Sequence, residues 1–147
     1  MVSVIQRCSR AQVAVENDIL GNIGLGLVVL LGIEKDDTQD DAIVLIKNIL
    51  GFRIFEDSNQ KMNLSIKDVA GSLLIISQFT LCADPRKGRR PSFLNAASSE
   101  KGYKLYEFFL RELKKEDITI ESGSFGAMMN VELVNIGPAT FILKSKT

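Results

Sequence analysis

The apolar run Leu73-Leu74-Ile75-Ile76, entered from Gly71, constrains this chain more than any other stretch. Consecutive leucine and β-branched side chains leave no polar face, so the run predicts a strand buried on both sides. Such a strand needs apolar layers closing over it from two directions. The residues that follow, Ser77-Gln78-Phe79-Thr80-Leu81, then lie where a buried strand leaves the core. Hydroxyls capping backbone groups at a strand end are the bland reading of this segment. A polar site at the mouth of the strand is the sharper one, because a plain core strand has little use for Ser, Gln and Thr so close together.

The 147 residues, 46% hydrophobic and 24% charged, supply apolar material for one core, and a single domain over residues 1–147 is expected. Eighteen basic side chains balance eighteen acidic ones, so any contact with nucleic acid has to come from a local patch. The longest apolar stretch, Leu27 to Leu31 extended by Gly32 and Ile33, is far short of the roughly 20 residues that span a bilayer. Without a recognisable secretory signal, a cytoplasmic location with Cys8 and Cys82 reduced is expected. The chain has no histidine. That removes the usual general base at neutral pH, every Ser-His-Asp or Cys-His arrangement and the commonest ligand of a catalytic zinc. Two cysteines cannot make a four-ligand zinc site, and neither a metal nor a cofactor is expected.

Val2 to Arg7 and Ala11 to Glu16 alternate or nearly alternate, which is the period of half-buried strands. After the turn signal Asn17-Asp18, Ile19 to Ile23 and Leu25 to Ile33 predict further strands, an antiparallel meander with short connections. Gly24-Leu25-Gly26 is no dinucleotide motif, because position 29 is Val and the glycines precede a strand. The acidic run Glu34 to Asp41 lacks the central glycine and closing glutamate of a calcium loop. It reads better as a helix start, with Thr38 as N-cap, Asp40 and Asp41 in the first turn, an apolar face of Ala42, Leu45, Ile46 and Ile49, and Gly51 at the end.

Phe52 to Phe55 predicts a short strand, while Met62 to Ala70 is ambiguous by period and is expected to be irregular. Pro85-Arg86-Lys87-Gly88-Arg89-Arg90-Pro91 carries four basic side chains on a loop that Pro and Gly keep out of regular structure. A solvated loop is the bland reading, and a clamp for RNA phosphates the functional one. Ser98-Ser99-Glu100 opens a second helix with Tyr103, Tyr106, Phe109, Leu110 and Leu113 as its core stripe. Ile118 to Ile120, Met128 to Val134 and Ala139 to Leu143 complete the strands, the last two flanking Asn135-Ile136-Gly137-Pro138 as a hairpin. The expected class is therefore α+β: a mainly antiparallel, barrel-like sheet with two packed helices.

Six segments taken in order resemble the D-aminoacyl-tRNA deacylase family: Ile5 to Ala11 with Val13 and Val15, Gly51 to Phe55, Lys61 to Leu64, Ser77 to Leu81, Gly88 to Phe93, and Asn135 to Thr140. Each string is weak alone, but their order makes the match specific. The resemblance implies an ester hydrolase that removes D-amino acids from tRNA as chiral proofreading in translation, with glycine also admitted. It implies catalysis at Ser77, Gln78, Phe79 and Thr80, with the 3′ acceptor end of aminoacyl-tRNA as partner. It further implies a homodimer in which a cis Gly137-Pro138 peptide enters the partner's site, supported by Arg7, Asn135 and Thr140. The expected tRNA contacts are Arg86, Lys87, Arg89 and Arg90. A non-catalytic dimeric RNA-binding module is the alternative, and a scaffolding protein the weaker rival.

Overall fold

The alternating N-terminal residues form one long strand instead of two. The computed structural model describes residues 1–86 and 88–146. Its strands are β1 (Val2–Val15), β2 (Asp18–Ile23), β3 (Gly26–Gly32), β4 (Phe55–Glu56), β5 (Met62–Leu64), β6 (Ser72–Ser77), β7 (Thr119–Ser122) and β8 (Asn130–Lys144). The helices are α1 (Gln39–Gly51) and α2 (Ser99–Leu113), and a short 3-10 turn covers Phe79–Cys82. Lys87, one of the expected phosphate contacts, lies outside the described residues.

β1 organises the sheet because both its edges are used. One edge pairs antiparallel with β3 through Val2 to Cys8 and with β2 through Ala11 to Val15, while the other pairs antiparallel with β8. β3 then pairs parallel with β6, and β6 parallel with β7. The expected meander is thus corrected: β3 returns to β1 instead of to β2, and the sheet is mixed. The reason is connection length, since a parallel neighbour needs a crossover, and α1 lies between β3 and β6 as α2 lies between β6 and β7. The sheet order β2-β1-β3-β6-β7 curls until Gly21 of β2 lies against Glu121 of β7, a nearly closed barrel with both helices outside. Gly26 has a packing reason, because a Cβ there would collide with the Ser72 carbonyl of β6.

β6 is buried on both faces as its composition demands. Leu73 and Ile75 pack with Leu45, Ile49, Tyr106 and Phe109 from the helices, whereas Leu74 and Ile76 pack inside the barrel with Cys8, Val13 and Val28. Of the expected stripe on α2, Tyr106, Phe109, Leu110 and Leu113 are buried, but Tyr103 is exposed and meets Phe125 edge to face. Ser98 caps α2 by accepting from the Lys101 N–H. At α1 the Asp41 carboxylate accepts from both the N–H and the hydroxyl of Thr38, at 2.9 and 3.0 Å. The Met1 ammonium reaches Asp37 at 2.5 Å and the Ser145 hydroxyl at 3.0 Å, tying the two ends of the sheet to the loop before α1.

Two further expectations change. Met62 to Leu64, expected to be irregular, pairs with Phe55 and Glu56 as a small two-stranded ribbon. Asn135 to Pro138 is no hairpin turn: β8 runs straight through it, because both halves have β1 as partner. Register shifts between Gln6 and Cys8 and between Cys8 and Arg10 absorb the irregularity. Among the described residues no helix is long and apolar enough to cross a membrane.

Candidate active site

At the end of β6 the backbone N–H of Gln78 still bonds Leu31 of β3, at 2.8 Å. Gln78 then leaves strand geometry with φ −142° and ψ 76°, and the chain tightens into the 3-10 turn. Leu81 N–H donates to the Gln78 carbonyl and Ala83 N–H to that of Thr80. The N–H groups of Phe79 and Thr80 open this turn and have no acceptor among the described residues, as expected for the first residues of a helical turn. The Gln78 side-chain amide donates to the Thr80 hydroxyl at 2.5 Å. The strand thus ends in a small array of neutral polar groups.

This array forms one wall of a cleft of about 620 Å³. Leu31 and Ile33 from the end of β3, Ser98 and Gly102 at the start of α2, and Phe125 with Met128 and Met129 from the β7–β8 connection supply the others. The sequence drew attention to Ser77, Gln78, Phe79 and Thr80, and the structure brings all four into the cleft. It did not single out Gly102, Phe125, Met128 or Met129. A faint signal existed in Gly123-Ser124-Phe125-Gly126, an aromatic between glycines. A Cβ at Gly123 would press on Met129 Sδ at 2.5 Å, and one at Gly102 on the Phe125 ring at 3.2 Å.

Among the described residues the lining contains no Asp, Glu, Lys, Arg or Cys. With histidine absent from the chain, nothing in this wall titrates near neutrality. The thiols lie elsewhere and are unsuited to attack: burial pushes both Cys8 and Cys82 up to about 11.

A second polar cluster surrounds the Asn135 to Thr140 segment. Arg7 is buried, donating through Nε to the Ile136 carbonyl at 3.2 Å and through Nη1 to the Ile54 carbonyl at 2.7 Å. The Asn135 amide donates to the carbonyls of Arg7 and Ala139, at 2.9 and 3.0 Å, bridging the irregular step. Thr140 accepts from Gln6 at 3.3 Å. Gly137 has φ +108° and its missing side chain would strike the Arg7 guanidinium, so the position requires glycine twice over. Gly137 and Pro138 are themselves exposed.

The expected cis bond before Pro138 is corrected: among the described residues every peptide is trans. The physical reason is local, since an X–Pro bond prefers trans by about 0.5–1 kcal/mol and the strand continues on both sides. The local irregularity of the strand sits at Gly137, whose φ is +108°.

Structure also separates this cluster from the cleft. Arg7 pairs with Leu27 and Leu27 with Leu73, whereas Ser77 lies beside Leu31, further along the same strands. At about 3.3 Å per residue that offset is roughly 13 Å along the strands, with two strand spacings of about 4.8 Å across. Gly137 and Pro138 do not line their own chain's cleft.

The basic loop projects from a stem closed by paired backbone bonds between Asp84 and Ser92. Arg86 folds back on Asp84, with Nε and Nη2 each 2.9 Å from a carboxylate oxygen, and this bond holds the Asp84 carboxyl down to about 2. Its guanidinium is therefore occupied within the loop, while Arg89 and Arg90 are exposed.

The model of the family described as D-Tyr-tRNA(Tyr) deacylase matches residues 4–144. A relative from Koribacter versatilis (strain Ellin345), named D-aminoacyl-tRNA deacylase, is 53% identical over 146 residues, covering 99% of this chain and 98% of its own. One of the same name from Thermosipho melanesiensis (strain DSM 12029 / CIP 104789 / BI429) is 52% identical over 99% of this chain and 98% of its own. Among solved structures, one described as c-Myc DNA Unwinding Element Binding Protein superposes with TM-score 0.94 at 38% identity, over 100% of both chains. Another, described as a probable eukaryotic D-amino acid tRNA deacylase, superposes with TM-score 0.80 over 97% of both chains. At 19% identity it speaks for the fold alone.

Proposed function

The chain belongs to the D-Tyr-tRNA(Tyr) deacylase family, and from that membership we propose that it hydrolyses the ester joining a D-amino acid to the 3′ end of tRNA. The observation that carries the chemistry is a cleft walled by a turn whose first N–H groups, at Phe79 and Thr80, have no acceptor among the described residues, and whose described lining has no ionisable side chain. An aminoacyl ester is already activated by the neighbouring ribose hydroxyl, so positioning it and stabilising the developing oxyanion are the main tasks left. The two N–H groups face the oxyanion, Ser77 and Gln78 orient the aminoacyl group, and the substrate's 2′-hydroxyl with water handles the proton. Thr80 positions. Its oxygen accepts from Gln78, and no base in the lining activates it.

Chiral selection is assigned to Gly137 and Pro138 of a second copy. They are exposed, rigidly backed by Arg7 and Asn135, and too far from their own cleft to act there. The edge of β8 that faces away from β1 has no strand partner among the described residues, and Val134 and Ile142 on it are exposed. An open edge of this length is a natural surface for a second copy. A backbone wedge would occupy the space an L side chain needs while leaving D-residues and glycine admissible. Arg89 and Arg90 serve tRNA phosphates, and such an enzyme works in the cytoplasm.

Deacylation of matched D- and L-aminoacyl-tRNAs tests the reading, with rapid loss of the D-ester and survival of the L-ester expected. A plain nucleic-acid-binding role, suggested by the name of the 38% identical structure, predicts binding without turnover of either.

A further inference from the structure

At the mouth of the cleft an aromatic pair stands open to solvent, and nothing in the reaction described above uses its rings. Phe79 and Phe93 lie with ring centroids 5.0 Å apart at 60°, with 57% and 37% of their surfaces exposed. Phe79 borders the cleft and Phe93 lies beyond it, so a chain leaving the cleft on this side crosses Phe79 first. The pair is built into the fold. Ser92 is pinned to Asp84, Ala96 N–H donates to the Phe93 carbonyl, and Asn95 and Ala97 are bonded to Lys35 and Ile33. From the same stem the loop presents Arg89 and Arg90 to solvent.

Exposed aromatic faces on the same loop stem as exposed guanidinium groups match unpaired nucleotides, whose bases stack and whose phosphates are anionic. We infer that Phe79 and Phe93 form a stacking platform for the unpaired base preceding the esterified terminal nucleotide, with Arg89 and Arg90 on its phosphates. The inference rests on the deacylase reading and extends it from the ester to the single-stranded end of the RNA. It also accounts for Phe93 being aromatic, which the cleft chemistry does not require.

Two substrates separate the platform from the chemistry: D-tyrosyl-adenosine, which lacks the preceding nucleotide, and D-tyrosyl-tRNA. Stacking of one base corresponds to about a fivefold to hundredfold effect. For Phe93→Ala, the ratio of kcat/KM on the tRNA to that on the adenosine ester falls by that factor, mainly through KM, and Phe93→Trp restores it. An equal loss on both substrates, or no loss, overturns the inference while leaving the deacylase reading intact. A change of mass for Phe93→Ala in light scattering also overturns it, because the pair then belongs to the contact between copies. Wild-type protein that cleaves neither ester removes the deacylase reading and the platform with it.

Discussion

At the residue scale the decisive fact is that the cleft is lined, among the described residues, by hydroxyl, amide and backbone groups and by no titrating side chain. Thr80→Ala deletes a hydroxyl but keeps the N–H, so single-turnover hydrolysis of D-aminoacyl-tRNA should fall by less than about tenfold. Replacing the terminal 2′-hydroxyl by hydrogen should cost far more, on the order of the 10²–10³ found when a principal oxyanion donor is lost. A folded Thr80→Ala protein that binds substrate but is inert would instead make Thr80 the nucleophile. Ser77 to Thr80 were legible in the sequence because polar residues after an uninterrupted apolar run break a local pattern. Gly102, Phe125 and Met129 were not, since each is ordinary by type and only the path of the chain brings them to the same cleft.

At the element scale, period identified most strands and both helices but not how the strands pair. Alternation marks a strand as half-buried and is silent about which neighbour it bonds, so β3 next to β1 and parallel to β6 could not be read from it. Gly137-Pro138 reads as a turn because those residues usually punctuate, and in β8 the partner strand overrides that preference. The helix start was legible, being written in neighbouring residues: Thr38 stands at the N-cap of α1 as expected, while Asp41, expected only to complement the helix dipole, also accepts from the Thr38 N–H. Burial pushes the Asp41 carboxyl up, but bonds from the Thr38 N–H, Lys146, Ser145 and the Thr38 hydroxyl outweigh it and hold the group well below the carboxylate range. A depressed folded pKa stabilises above the unfolded value near 3.9 and ceases to as pH falls through the folded one. Asp41→Asn should therefore cost about 1 kcal/mol at pH 7, the usual value of a cap. Urea titrations at pH 7 and pH 3 should show the difference between variant and wild type shrinking at the lower pH.

At the scale of the whole molecule, the chain carries two polar clusters that its own fold keeps apart, one in the cleft and one around Gly137. A second copy that meets the open face of β8 would join them, so selectivity and assembly should fail together. Arg7 is the test, because it is buried and its two hydrogen bonds hold the Ile54 and Ile136 carbonyls. Arg7→Ala leaves both acceptors unpaired at about 1–3 kcal/mol each, so it loosens the Gly137 segment and also lowers stability. Arg7→Lys keeps the charge but cannot form the planar fork, and is the cleaner probe. With steric discrimination of one small group worth about 1–3 kcal/mol, the D over L ratio in single-turnover assays should drop at least tenfold in Arg7→Lys. The rate on the D-ester should change less than the ratio. Circular dichroism should show the sheet retained, and light scattering a weaker dimer. Undiminished selectivity in a folded Arg7→Lys protein would detach the Gly137 segment from substrate discrimination and leave the open edge of β8 without the role assigned to it.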